Sequence, residues 1–87
     1  MRYLKKYVGV YTYTDEKGVS SPVSLVWEDG RSFRINAVKS VKNAPPDHVG
    51  GLVTVRYDVV VEGFSRVLYY ETYLNKWFVE KLCENYN

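Results

Sequence analysis

The sequence predicts an all-β fold, a single antiparallel sheet of about six strands bent into a small barrel or roll. Segments of six to ten residues alternate apolar and polar side chains and are separated by turn residues. An acidic residue followed by Gly occurs twice between runs rich in Val, Tyr and Thr, at Glu28-Asp29-Gly30 and at Glu62-Gly63. A Gly that adopts positive φ in this setting favours an antiparallel hairpin. No segment has the spacing of an amphipathic helix.

The 87 residues form one domain, 1–87, with 46% hydrophobic residues. A chain of this length has a modest core. An open sheet would leave an apolar face and two strand edges exposed, so we expect closure of the sheet or pairing with a second copy.

The first strand is predicted over Tyr3–Thr14, followed by a polar loop that ends at Pro22. The next two strands are 22–27 and 31–38. A three-residue loop, Glu28-Asp29-Gly30, places Leu25 opposite Phe33 and Val23 opposite Ile35. A two-residue loop would instead place Leu25 opposite a charged residue, so the three-residue loop is favoured.

The second hairpin joins 52–61 to 64–73. By the same reasoning we expect a three-residue loop, Val61-Glu62-Gly63. This register predicts the pairs Tyr57–Val67 and Val55–Tyr69, and on the other face an Asp58–Arg66 pair contributing about 0.2–1 kcal/mol.

A third hairpin is expected around Leu74-Asn75-Lys76, where Asn tolerates positive φ, and its register stays open. Residues 43–51 form the longest irregular stretch. The predicted core consists of Val23, Leu25, Trp27, Phe33, Ile35, Val53, Val55, Tyr57, Val67, Tyr69 and Val79.

Catalytic, metal and cofactor sites are not predicted. The only Cys and the only His, Cys83 and His48, lie in unrelated segments and cannot supply a set of zinc ligands. Gly50-Gly51 has no helix after it to bind phosphate. Glu71 and Glu80 lie on neighbouring strands, but two carboxylates placed in this way are more often a surface coincidence than a catalytic pair. We therefore do not expect an enzyme.

A binding surface is predicted on the outward face of the second hairpin. We expect a protein partner or a second copy to cover it, most simply as a homodimer, because exposed apolar clusters on sheets are usually covered. Single-stranded nucleic acid, stacked on aromatic rings, is the alternative, and a small apolar ligand in the barrel mouth ranks third. The surface comprises Arg34, Arg56, Phe64, Arg66, Leu68 and Tyr70.

The charge of the chain is small, +2, and is distributed unevenly. Residues 1–43 hold eight Lys and Arg against four Asp and Glu, whereas residues 44–87 hold four against six. So small an excess argues weakly for nucleic acid. A single cysteine cannot form an internal disulfide, which suits the reducing cytoplasm. We find neither a signal peptide nor an apolar run of about 18 residues that could enter a membrane.

Two motifs carry a resemblance. Pro-Val-x-Leu-Val-Trp-Glu-Asp-Gly-Arg-x-Phe-x-Ile spans residues 22–35, and Tyr-Tyr-Glu at 69–71 precedes Asn-Lys-Trp-Phe-Val-Glu at 75–80. Together they resemble small uncharacterised bacterial all-β domains, some of which accompany translesion DNA polymerases. The resemblance implies the fold, and nucleic acid as a partner to a lesser degree, but no site residues.

Overall fold

The computed structural model describes residues 2–43 and 53–83, and the side chains of 4–43 and 53–81. Residues 44–51 of the predicted irregular stretch, with His48 and Gly50-Gly51, and the tail 84–87 lie outside the described residues. Asn43, predicted to begin that stretch, instead belongs to a strand and pairs with Val55. Within the described ranges, six antiparallel strands pair in chain order, and the first of them pairs with the last to close a barrel. The predicted fold class is confirmed. The strands are β1 (Arg2–Thr14), β2 (Ser20–Val26), β3 (Ser32–Asn43), β4 (Thr54–Val61), β5 (Phe64–Glu71) and β6 (Lys76–Cys83).

Two long strands form the corners of the barrel. β1 pairs with β6 up to Val8 and with β2 from Gly9 onward. A Cβ on Gly9 would lie 3.3 Å from the Cβ of Val26, so the absence of a side chain allows the two strands to approach closely at this corner. β3 pairs with β2 up to Arg34 and with β4 from Ile35, with register shifts that bend the strand.

The first predicted hairpin is confirmed. Leu25 pairs with Phe33, and Gly30 has φ of 89° at the end of a three-residue loop. The Gly30 amide donates to the carbonyl of Trp27 at 2.9 Å, as a turn of this type requires. The predicted Val23–Ile35 pair is absent from the β2–β3 ladder, because Ile35 pairs with Val61 of β4 instead.

The register predicted for the second hairpin is wrong by one residue. Val61 pairs with Phe64 across a two-residue turn in which Glu62 and Gly63 both have positive φ, 50° and 88°. This is the type I′ geometry, whose twist matches that of the flanking strands. In place of the expected partners, the ladder holds the pairs Tyr57–Leu68, Val55–Tyr70 and Asp58–Val67.

The one-residue shift reverses the faces of β5. Leu68 is only 2% exposed and belongs to the core, whereas Val67 and Tyr69 lie on the outer face and are not core residues. The Asp58–Arg66 pair does not form, because Asp58 lies opposite Val67 and Arg66 lies on the other face, opposite Val59. Asp58 accepts hydrogen bonds from Arg56 and Ser40 instead.

The third hairpin, whose register the sequence left open, has a four-residue turn. The turn spans 72–75, between Glu71 and Lys76, which pair across it. Asn75 has φ of 55°, as its residue type allows. The Tyr70 hydroxyl donates to the Asn75 side chain at 2.6 Å and secures this end of the barrel.

The core fills the barrel between the two sheet corners. Besides Val67 and Tyr69, two further residues predicted for the core lie at the surface: Val23 is 41% exposed and Val53 is 52% exposed. Val55 is half-buried. The buried centre consists of Leu25, Ile35, Val59 and Leu68, with Val8, Val10, Trp27, Phe33, Tyr57, Val61, Trp77 and Val79 packed against it.

Candidate functional site

The barrel has an incomplete seam between β5 and β6. The ladder of these strands contains three pairs, Tyr69–Phe78, Tyr70–Trp77 and Glu71–Lys76. Beyond Tyr69, β5 stays paired with β4 as far as Phe64, and β6 beyond Phe78 stays paired with β1. Two five-residue strand edges, 64–68 and 79–83, therefore face each other without a ladder.

A cleft of about 670 Å³ opens at this unpaired part of the seam and reaches the core. Its inner wall is formed by core residues, whereas charged side chains lie only at its rim. The lining residues are Leu25, Trp27, Phe33, Val59, Val61, Glu62, Phe64, Arg66, Val67, Leu68, Tyr69, Val79 and Glu80. A larger depression, about 860 Å³, lies around Tyr57, Tyr70 and Trp77 and has more polar neighbours.

The paired part of the seam is held by a buried carboxylate on the outer face. Glu71 is 2% exposed and accepts hydrogen bonds from Lys5 Nζ at 2.7 Å and from the Tyr7 hydroxyl at 2.9 Å. Burial by itself raises the pKa of Glu71, but the hydrogen bonds from Lys5 and Tyr7 and the nearby cations outweigh it, so the pKa is lowered. In its charged form, Glu71 therefore links β5 to β1 across β6.

An aromatic stack covers the same part of the outer face. The rings of Tyr69 and Phe78 are stacked at 4.9 Å, and Tyr7 meets Phe78 edge-on at 6.0 Å. Lys5 Nζ lies 5.0 Å from the centre of the Phe78 ring, which is only 5% exposed. These contacts join β1, β6 and β5 up to Tyr69, where the cleft begins.

The mouth of the cleft combines an exposed ring with a cation. Phe64 is 63% exposed, and the Arg66 guanidinium lies 5.4 Å from its ring centre. Arg66 Nη1 also donates to the carbonyl of Ser65 at 3.0 Å, and the guanidinium makes no ion pair with the part of the chain that the structure describes. The two acids at the rim are already engaged, Glu62 by the Arg34 amide and Glu80 by the Tyr69 hydroxyl.

The six residues of the predicted surface do not share one face. Phe64 and Arg66 meet at the cleft. Leu68 is in the core, and the ring of Tyr70 packs on Trp77 at 4.7 Å inside the barrel. Two positions lie elsewhere: Arg56 pairs with Asp58 on the outer face, and Arg34 is exposed on β3 opposite Ser24. The structure thus places Leu68 and Tyr70 towards the interior and brings only Phe64 and Arg66 of this set together, and binding at these residues stays a prediction.

Across residues 2–43 and 53–83, no three His, Cys, Asp or Glu side chains are placed to hold a metal ion. Glu71 and Glu80 have separate partners, and the lowered pKa of Glu71 is the opposite of what a general acid needs. The described strands and turns include no helix long and apolar enough to cross a membrane.

Comparison with known proteins finds no matching family model, no matching curated protein and no matching solved structure. The resemblance of the two motifs to small bacterial β-domains therefore stays a prediction.

The sequence did not indicate that core residues such as Trp27, Phe33 and Val79 also line a cleft. The available signal was Phe64, a large apolar residue directly after a turn, where burial is rare. The incomplete seam itself has no local signal, because it depends on how far two strands pair in three dimensions.

Proposed function

We propose that this protein is a non-enzymatic interaction module that binds an apolar group of a protein partner in the cleft between β5 and β6. The observation that carries the proposal is an apolar opening, about 670 Å³ in volume, that leads from the surface to Leu25, Leu68 and Val59. Ligand sites are typically concave, mostly apolar and roughly 300–1,000 Å³ in volume.

The geometry favours a protein partner over the other expected partners. The surface predicted to stack nucleic acid held two rings, Phe64 and Tyr70. Tyr70 packs on Trp77 inside the barrel, which leaves one ring of this surface rather than a row for successive bases. Phe64, in contrast, presents an exposed ring beside the cleft, where a second chain could bury it. A second copy is an alternative protein partner. The cytoplasm stays the expected compartment.

The proposal is tested with a fluorescent apolar anion, anilinonaphthalene sulfonate, titrated into the folded protein at neutral pH. We expect one saturable site, and we expect Phe64→Ala to weaken binding about fivefold to tenfold because part of the cleft wall is removed. Tyr73→Ala is the matched control, since this ring is 79% exposed in the 72–75 turn. Absence of saturable binding, or equal effects of the two substitutions, would contradict the proposal.

A further inference from the structure

We propose that the cleft accepts an extended, acidic and apolar peptide segment, which adds to the free edge of β5 as an antiparallel strand. This inference rests on the proposed function and names the ligand of the same cleft.

The turn geometry determines which main-chain groups of β5 are free. In a two-residue turn the flanking pair, here Val61 and Phe64, is hydrogen-bonded, and hydrogen-bonded pairs then alternate along the ladder. The amides and carbonyls of Phe64, Arg66 and Leu68 consequently face β4. Those of Ser65 and Val67 face the unpaired side, towards the cleft.

Arg66 supports this assignment. The Ser65 carbonyl accepts a hydrogen bond at 3.0 Å from the guanidinium of Arg66, a side chain occupying the place of a strand partner. Charged side chains commonly protect strand edges in this way. The main chain of an added strand donates a hydrogen bond to the Ser65 carbonyl and displaces the Arg66 guanidinium. The guanidinium then needs a new partner.

The position of Arg66 on β5 favours an acidic residue opposite it in the added strand, although the cleft lining as a whole holds two carboxylates, Glu62 and Glu80, and this one cation. Arg66 has no ion pair in the described part of the chain, whereas the carboxylates of Glu62 and Glu80 already accept hydrogen bonds. In an antiparallel strand added beside β5, every second side chain of the peptide points inward. These side chains lie opposite Leu68, Arg66 and Phe64. The expected pattern is therefore apolar, acidic, apolar at every second residue, with polar residues between.

The probe is the capped pentapeptide Val-Thr-Glu-Thr-Val, whose length matches the five unpaired residues 64–68 of β5. Hydrogen exchange is followed by NMR on the wild-type protein. We expect the Ser65 and Val67 amides to be protected when the peptide is added, while the Phe64 and Arg66 amides, which face β4, stay unchanged as internal controls.

Peptide variants separate strand pairing from simple apolar binding. N-methylation of both Thr amides should weaken binding about tenfold or more, because the main-chain hydrogen bonds to Ser65 and Val67 are lost. N-methylation of the Glu amide should leave the affinity within about twofold, because that amide faces away from β5. Exchange of Glu for Lys in the peptide should weaken binding severalfold through repulsion by Arg66.

Three results would overturn the inference. One is absence of peptide binding, and another is binding that tolerates N-methylation at every position. If the dye still occupies the cleft in either case, the proposed function stands and strand addition alone is refuted. The third is protection of Ser65 and Val67 that rises with protein concentration without peptide, which would assign this edge to a second copy of the chain.

Discussion

At the scale of single residues, Glu71 shows how a charge can be buried on the outside of a barrel. Its carboxylate lies beneath Lys5 and beside the Tyr7 hydroxyl, so two strong donors replace the water it loses. A buried charge is tolerated only when it is paired in this way. The residue therefore acts as a cross-strand link between β1 and β5.

We expect Glu71→Gln to lower the free energy of unfolding at pH 7 by about 1.5–3 kcal/mol, the usual contribution of hydrogen bonds to a charged group. Urea denaturation measures this change. Glu80→Gln is the control, since Glu80 is exposed and such substitutions stay within about 0.5 kcal/mol. An equal loss in both variants would show that Glu71 has no special structural role.

The stability of the wild-type protein should also depend on pH through Glu71. Its folded pKa is lowered from the ordinary value of 4.5, so its contribution is fully present above pH 4.5. The contribution is lost as the pH falls through the folded pKa. The difference in unfolding free energy between wild type and Glu71→Gln should therefore shrink in acid, and a constant difference from pH 7 to pH 3 would contradict this account.

At the scale of elements, the Glu62-Gly63 turn decides which side chains of β5 reach the core. Glu62 has a positive φ of 50°, a region that disfavours residues other than Gly and Asn. The strain is accepted because the resulting register buries Leu68 beside Val59, and both are at most 2% exposed. Burial of one Leu contributes about 1.5–3 kcal/mol, enough to offset a cost of about 1–3 kcal/mol for a residue other than Gly at positive φ.

We expect Glu62→Asn to raise the free energy of unfolding by about 0.5–1 kcal/mol, because Asn-Gly is the preferred pair in a type I′ turn. Thermal and urea denaturation measure the gain, and Glu62→Ala, which keeps the strain, serves as the control. A three-residue turn would not place residue 62 at positive φ. An Asn variant no more stable than the Ala variant would therefore favour the register predicted from the sequence.

At the scale of the whole molecule, the barrel closes through strands that are distant in the chain. Arg2 pairs with Cys83 and Val8 with Trp77, so the ladder of β1 with β6 joins the two ends of the described chain. Closing so long a loop is entropically costly before any contact forms, and non-local sheets fold slowly for this reason.

A circular permutant tests this closure. The natural ends are joined by a short Gly/Ser linker, and new ends are opened between Glu16 and Lys17 in the exposed loop after β1. We expect the same barrel, seen in the amide protection of β1 and β6. Refolding should stay within about threefold of the natural rate, because the β1–β6 pairing becomes local while the β1–β2 pairing, a hairpin in the natural chain, becomes the non-local closure. Stopped-flow fluorescence measures the rate, and an unfolded permutant or a rate changed about tenfold or more would contradict the closure argument.

The sequence by itself determined the fold class, the first hairpin and most of its core, because alternation and Gly-containing turns act over a few residues. It did not determine the register of the second hairpin, because β4 and β5 carry apolar residues on both faces and either alignment pairs Val with Tyr. Only the closed barrel decided between the two alignments, by burying Leu68 and Val59 together and leaving Val67 outside. The cleft likewise depends on where β5 and β6 separate, a property of strands brought together in three dimensions that no local pattern encodes.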